Sequence, residues 1–115
     1  MTKIKTYGEF LNELNYDRIT KLGGPQTEEE VHKICKSLGI KNYKINQDLS
    51  IDVNGDVDLK NKKLTLLPLK FNKVNGSFYC QYNQLTNLQG APKVITGYFW
   101  CYNNNLTSLK GAPKE

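Results

Sequence analysis

Three stretches of 21 residues align with one another without gaps, and this periodicity constrains the fold more than any other feature of the chain. They begin at Val53, Val74 and Ile95. Equivalent apolar positions are Val57/Phe78/Phe99, Leu59/Cys80/Cys101, Leu64/Leu85/Leu106 and Leu67/Leu88/Leu109. Repetition at a fixed period predicts that each repeat is one structural unit, which buries its apolar face by stacking on its neighbours.

Each repeat also alternates apolar and polar residues, as a short strand does. In the second repeat Phe78 and Cys80 alternate with Ser77, Tyr79 and Gln81. The first two are therefore expected to point inward, and the other three outward. An asparagine follows this strand, and its side-chain amide can bond backbone groups where the chain turns.

The resulting pattern, Phe78-x-Cys80-x-x-Asn83-x-Leu85-x-x-Leu88, resembles the core motif of leucine-rich repeat proteins. The third repeat has the same pattern with Asn104, whereas Lys62 replaces the asparagine in the first. The resemblance implies an α+β fold class: a short leucine-rich-repeat solenoid with a parallel sheet of three 21-residue repeats, an N-terminal helical cap and short strands. Repeat ends reading Gly-Ala-Pro-Lys are similar to those of leucine-rich repeat proteins from phages and large viruses, which implies such an origin.

Residues 25–52 are expected to form that cap as a helix followed by a hairpin. Thr27 and Glu30 have the spacing of a capping box, and Gly39 is a stop signal. The apolar face of the predicted helix consists of Val31, Ile34, Cys35 and Leu38. Short strands are predicted at Tyr43 to Ile45 and Leu49 to Val53, with Asn54-Gly55 as a hairpin-type turn. The predicted parts are thus residues 1–24 (amphipathic helix and linker), 25–52 (cap) and 53–115 (repeats).

A second resemblance lies near the amino terminus. Lys5-Thr6-Tyr7-Gly8-Glu9-Phe10-Leu11 is similar to the start of the capsid-targeting peptide of internal proteins from large tailed phages, and Leu11-Asn12-Glu13 fits its cleavage site. This resemblance implies a virion-packaged internal protein with a removable peptide. An amphipathic helix explains the same segment, since Ile4, Tyr7, Phe10, Leu11 and Leu14 share one side.

The inventory of reactive side chains is poor. The chain has one His, three Cys and one Met, and it lacks a CxxC pair, a zinc-ligand spacing and a glycine-rich phosphate loop. These absences predict a protein that is not an enzyme and uses no cofactor or metal. Without an apolar run of about 20 residues or a secretory signal, we expect no membrane association and a cytoplasmic location, in the host cell if the protein is viral, or the virion interior.

Outward positions of the predicted sheet change from charged to aromatic along the repeats. Asp56, Asp58 and Lys60 belong to the first repeat. The candidate protein-binding residues follow in the second and third: Tyr79, Gln81, Tyr98, Trp100 and Tyr102. Tyr and Trp are typical of binding hot spots. Cross-strand stacking that merely stabilises a small sheet is the alternative interpretation.

The third repeat is followed by no polar cap in this sequence. Its core edge is therefore expected to be partly exposed, which favours association in repeat proteins. The candidate residues for a homodimer contact are Ile95, Phe99, Leu106 and Leu109. A fold-back of Pro113 and Lys114 over this edge is the alternative.

The net charge of +5 lies entirely in residues 53–115, where eight lysines oppose three carboxylates. Basic residues interleaved with aromatic ones suggest single-stranded nucleic acid as a ligand. Most of the lysines fall at turns, however, which favours a solvated surface and makes nucleic acid the weaker hypothesis. We therefore predict a non-enzymatic protein–protein interaction module of phage origin that binds and blocks a host defence protein. The alternatives are the packaged virion protein and the nucleic-acid-binding protein.

Overall fold

The structure is a computed structural model, and it describes residues 24–113. Within this range the chain forms helix α1 (Glu28–Leu38) and seven strands: β1 (Tyr43–Ile45), β2 (Ile51–Asn54), β3 (Val57–Asp58), β4 (Phe71–Asn75), β5 (Phe78–Tyr79), β6 (Val94–Ile95) and β7 (Phe99–Trp100). The predicted helix near the amino terminus and the targeting-peptide resemblance at residues 5–13 lie outside the described residues.

Helix α1 begins and ends where the sequence predicts. The side chain of Thr27 accepts a hydrogen bond of 3.1 Å from the backbone N–H of Glu30. Gly39 ends the helix in the left-handed conformation, with φ of 72°, which glycine adopts without a steric cost. The buried residues of the helix are those predicted for its apolar face: Val31, Ile34, Cys35 and Leu38.

The strands form two sheets. The four-stranded sheet has the order β1-β2-β4-β6, and the three-stranded sheet has the order β3-β5-β7. Strands β1 and β2 pair antiparallel, which confirms the hairpin predicted after the helix. All the other pairs are parallel. Val57 pairs with Phe78 and Phe78 with Phe99, so the 21-residue alignment correctly identifies pairing positions in the second sheet.

The predicted fold class, a leucine-rich-repeat solenoid with one parallel sheet behind a helical cap, is wrong. Residues 24–113 form a small α+β domain with a mixed sheet, a parallel sheet and one helix. The apolar face of α1 belongs to the same core as both sheets, and no separate helical cap is seen. A radius of gyration of 13.4 Å agrees with the value of about 13 Å expected for a compact domain of this size.

The division into two sheets has its cause in the glycines between the short strands. Gly76, between β4 and β5, has φ of 155°, and a Cβ there would lie 2.6 Å from the carbonyl of Gly55. Gly55 occupies the equivalent place between β2 and β3. The backbone therefore turns at each glycine, and the strands before and after it join different sheets. For the same reason the expectation that Asn54-Gly55 joins two paired strands is wrong.

The core is built largely from the repeat positions. Phe78 is fully buried, stacks on Phe99 with ring centroids 5.9 Å apart and meets Phe71 edge-on at 5.0 Å. The equivalent positions of the first two repeats are buried: Val57, Leu59, Cys80, Leu64, Leu85, Leu67 and Leu88. In the third repeat burial decreases towards the open edges of the sheets, and Leu109 is 70% exposed.

Candidate functional site

Aromatic side chains collect on the outer side of the three-stranded sheet. Tyr98, Trp100 and Tyr102 are alternate residues in and around β7, so they lie on one side of the strand. Tyr79 pairs with Trp100 across β5 and β7, and Tyr82 follows β5. We call Tyr79, Tyr82, Tyr98, Trp100 and Tyr102 the aromatic face.

The five rings form one continuous cluster with Trp100 at its centre. The ring centroid of Trp100 lies 4.9 Å from that of Tyr79, 5.9 Å from Tyr98 and 6.3 Å from Tyr102. Tyr82 extends the cluster, with its ring edge-on to Tyr102 at 5.4 Å. Four of the rings remain 42% to 67% exposed despite these contacts. The structure thus brings together four of the five predicted binding residues.

Tyr82 is a member of the face that sequence reasoning missed. Its backbone has φ of 59°, and the equivalent residues Asn61 and Asn103 have nearly the same φ, 56° and 55°. Asparagine tolerates this left-handed conformation, whereas a bulky side chain rarely adopts it. The alignment of the three repeats with one another does mark this position, because it has a tyrosine where both neighbouring repeats have asparagine.

Gln81 was expected on the exposed surface, but it is only 4% exposed. Its repeat lies in the middle of the stack, and backbone hydrogen bonds join it to both sides: Asn61 N–H donates to Gln81 O, and Tyr82 N–H donates to Tyr102 O. The flanking repeats therefore cover its side chain. Within the described residues its amide Oε1 is buried without a hydrogen-bond partner, and Gln81 is not part of the exposed face.

One ion pair borders the aromatic face. The Nζ of Lys60 lies 2.7 Å from Oδ2 of Asp58. Burial favours a higher pKa for Asp58, but the hydrogen bonds from the side chain and backbone of Lys60 outweigh it and lower this pKa. The same hydrogen bond raises the pKa of Lys60, with smaller contributions from Tyr79 and Tyr102. The two charges beside the rings thus neutralise each other.

The cysteines show no sign of reactive chemistry. Burial raises the pKa of the Cys35 thiol to about 11 and that of Cys80 to about 12, so both thiols are protonated at neutral pH. Cys101 is half-buried, and its pKa is also raised by burial. Between residues 24 and 113 no three His, Cys, Asp or Glu side chains cluster as metal ligands would.

The predicted self-association residues differ widely in exposure. Ile95 is buried, with 8% exposure, contrary to its expected place on a contact surface, because β6 pairs with β4 and turns this side chain into the core. Phe99 and Leu106 are half-buried and pack on the core, and Leu109 is exposed. Among residues 24–113, strands β6 and β7 are the outer strands of their sheets, so the backbone beside these residues is an open edge of the described sheets.

A groove with a volume of about 630 Å³ lies elsewhere on the surface, and no residue of the aromatic face lines it. Its lining includes Leu67, Phe71, Ala91, Asp48, Lys70 and Lys93. Lys93 is exposed, and it provides a control position that is separate from the aromatic face.

Comparisons of the chain with protein-family models, curated proteins and solved structures give no match. Over residues 24–113, no helix combines the length and the apolar character needed to cross a membrane.

Proposed function

We propose that this chain is a non-enzymatic protein-binding module and that the aromatic face is its contact surface. The observation that carries the proposal is the continuous cluster of five aromatic side chains, four of them strongly exposed. Folded monomers rarely expose contiguous apolar patches unless the patch binds something. Tyr and Trp are also the residues in which binding energy is most often concentrated.

The mechanism of binding is rigid display. Each ring contacts at least one other ring, and the backbone below is held by strand pairing between β5 and β7. The side chains therefore lose little rotamer freedom when a partner covers them, and ordering of side chains is one of the main costs of association. Cross-strand stacking of Tyr79 on Trp100 also stabilises the sheet, and four of the five residues stay strongly exposed beside it.

The proposed partner is a host protein that the module blocks sterically. The phage-like peptide at residues 5–13 supports a phage origin, and covering a functional surface requires no chemistry from the module.

We also propose that the open edge at β6 and β7 allows self-association. Phe99, Leu106 and the exposed Leu109 are the contact residues, and two edge strands can pair antiparallel across a twofold axis. Light scattering over a concentration series should detect a dimer that Leu109→Ser weakens. A monomer at all concentrations would contradict this proposal.

The contact surface is tested by Trp100→Ala. Against a purified protein partner of the module, isothermal calorimetry should show an affinity at least about 30-fold lower than for the native chain, since a central hot-spot residue contributes about 2 kcal/mol or more. Lys93→Ala, in the separate groove, should bind like the native chain. A partner whose affinity is unchanged by Trp100→Ala would refute the assignment of the aromatic face.

A further inference from the structure

We propose that the segment bound by the aromatic face is extended and proline-rich, in the polyproline II conformation. This inference rests on the proposed function and names the chemical class of the partner's contacting segment. Three independent properties of the face support it: the arrangement of its rings, the hydrogen-bonding groups it offers and its charge.

The rings follow one another in a line of contacts and are inclined to one another, so they do not form a flat platform. From Tyr98 through Trp100 and Tyr102 to Tyr82, successive centroids are 5.9, 6.3 and 5.4 Å apart, and the ring planes are inclined by 30°, 50° and 80°. Tyr98, Trp100 and Tyr102 follow one another along β7, and their two ring spacings together correspond to roughly four residues of a polyproline II helix, which rises about 3.1 Å per residue. Aromatic side chains are the surfaces on which proline-rich segments dock.

The polar atoms of the face include hydrogen-bond donors. The indole N–H of Trp100 donates only, and each tyrosine hydroxyl can donate as well as accept. A polyproline II segment is complementary to this set, because its carbonyl groups have no internal partners and proline has no N–H. A regular helix would bring carbonyls that are already bonded within the helix.

The charge beside the rings favours an uncharged ligand. Asp58 pairs with Tyr79 across β3 and β5 and is bonded to Lys60 at 2.7 Å, so this ion pair at the border of the face carries no net charge. Single-stranded nucleic acid needs cations along the line of rings to contact its phosphates. A proline-rich segment needs none, and its preformed conformation reduces the entropy lost on binding.

The backbone of Tyr82 is a further sign that this end of the line is used. Tyr82 has φ of 59°, and the equivalent residues of the other two repeats, with nearly the same φ, are asparagines. Asparagine adopts this left-handed conformation more readily than tyrosine. A strained backbone at an exposed residue points to a function of its side chain. Here the side chain lengthens the line of rings beyond Tyr102.

The experiment uses the full chain and two peptide probes, decaproline and a Gly-Ser peptide of equal length. Trp100 is the only tryptophan in the sequence and lies at the centre of the face, so its fluorescence reports occupancy directly. Titration with decaproline should give a saturable change in Trp100 emission, and the Gly-Ser peptide should give none. Tyr82→Asn and Tyr98→Ser should each weaken decaproline binding at least about fivefold, while Lys93→Ala leaves it unchanged.

Far-UV circular dichroism verifies that each variant is folded, and Tyr82→Asn is suited to the test because asparagine fits the local backbone. The inference would be overturned if decaproline gave no saturable change in Trp100 emission up to millimolar concentration. It would also be overturned if Tyr82→Asn and Tyr98→Ser bound decaproline as tightly as the native chain. Tighter binding of an oligothymidylate would also overturn it, in favour of nucleic acid. The two proposals fail separately: if Trp100→Ala still abolishes binding of a protein partner while decaproline does not bind, the contact surface stands and only the proline-rich assignment is lost.

Discussion

Asn83 is the side chain on which the stacking of the first two repeats depends most. Its Oδ1 accepts hydrogen bonds from the backbone N–H groups of Lys62, at 3.1 Å, and Leu64, at 3.0 Å. Its Nδ2 donates to the carbonyl oxygens of Leu59, at 2.8 Å, and Cys80, at 2.9 Å. The residue is only 7% exposed, so water cannot easily replace these bonds once the amide is removed.

The cost of Asn83→Ala follows from the groups it leaves without partners. A buried donor or acceptor that loses its hydrogen bond costs about 1 to 3 kcal/mol. The carbonyl oxygen of Cys80 keeps its hydrogen bond from Asn104. The truncation therefore leaves three backbone groups without their partner: the N–H groups of Lys62 and Leu64 and the carbonyl of Leu59. We expect a loss of about 3 to 4 kcal/mol in the free energy of unfolding, which is a large part of the roughly 5 to 15 kcal/mol that stabilises a typical domain.

Asn104 provides the matched comparison. It makes equivalent bonds, accepting from Leu85 N–H at 3.0 Å and donating to Cys80 O at 3.0 Å and Cys101 O at 2.9 Å. It is, however, half-buried in the last repeat, where water can enter. Asn104→Ala should therefore cost only about 1 kcal/mol.

Urea unfolding, followed by far-UV circular dichroism and Trp100 fluorescence, measures both losses. The expected difference corresponds to a melting temperature lower by roughly 10 °C or more for Asn83→Ala than for Asn104→Ala, since 1 kcal/mol shifts it by about 4 to 8 °C in a domain of this size. The exposed Asn105→Ala is the control and should unfold like the native chain. Equal effects at positions 83 and 104 would refute the reasoning that burial sets the cost.

Three further predictions concern backbone conformation and pH. Tyr82→Asn should raise the free energy of unfolding by about 0.5 to 1 kcal/mol, because asparagine tolerates the left-handed backbone; no change or a loss in urea unfolding would contradict this. Gly90→Ala should destabilise the fold more than Gly39→Ala, since both glycines have positive φ but only at Gly90 would the new Cβ lie 2.7 Å from a backbone carbonyl oxygen; equal urea midpoints would exclude this cause. The folded-state pKa values of about 11 for Cys35 and about 12 for Cys80 exceed the thiol value of 9.0, so stability should be retained below pH 9.0 and lost progressively as the pH rises towards 12. Thermal melts across that range, with Cys80→Ala as a less pH-sensitive reference, measure the effect.

The sequence predicted the features that depend on local signals or on the repeat. The caps of α1, the β1–β2 hairpin and the buried positions of the first two repeats follow from residue type and spacing alone. The two-sheet architecture could not be predicted in this way, because a strand of two residues carries no periodicity of its own and the turn at Gly76 depends on contact with Gly55. Gln81 was misplaced for a related reason: alternation gives the side of a strand, but only the neighbouring repeats determine whether that side is covered.

The position of the aromatic face links recognition to the stability of the last repeat. Strand β7 is an outer strand, and the inward-facing Phe99 is only half-buried there, whereas the equivalent Phe78 is fully buried. Segments with fewer buried contacts open at lower free energy than the core. Because Tyr98, Trp100 and Tyr102 project from this same segment, a partner that covers the rings also restrains the least buried strand of the sheet. The proposed rigid display therefore depends most on the order of this strand, and stabilising the last repeat without altering the rings should strengthen binding.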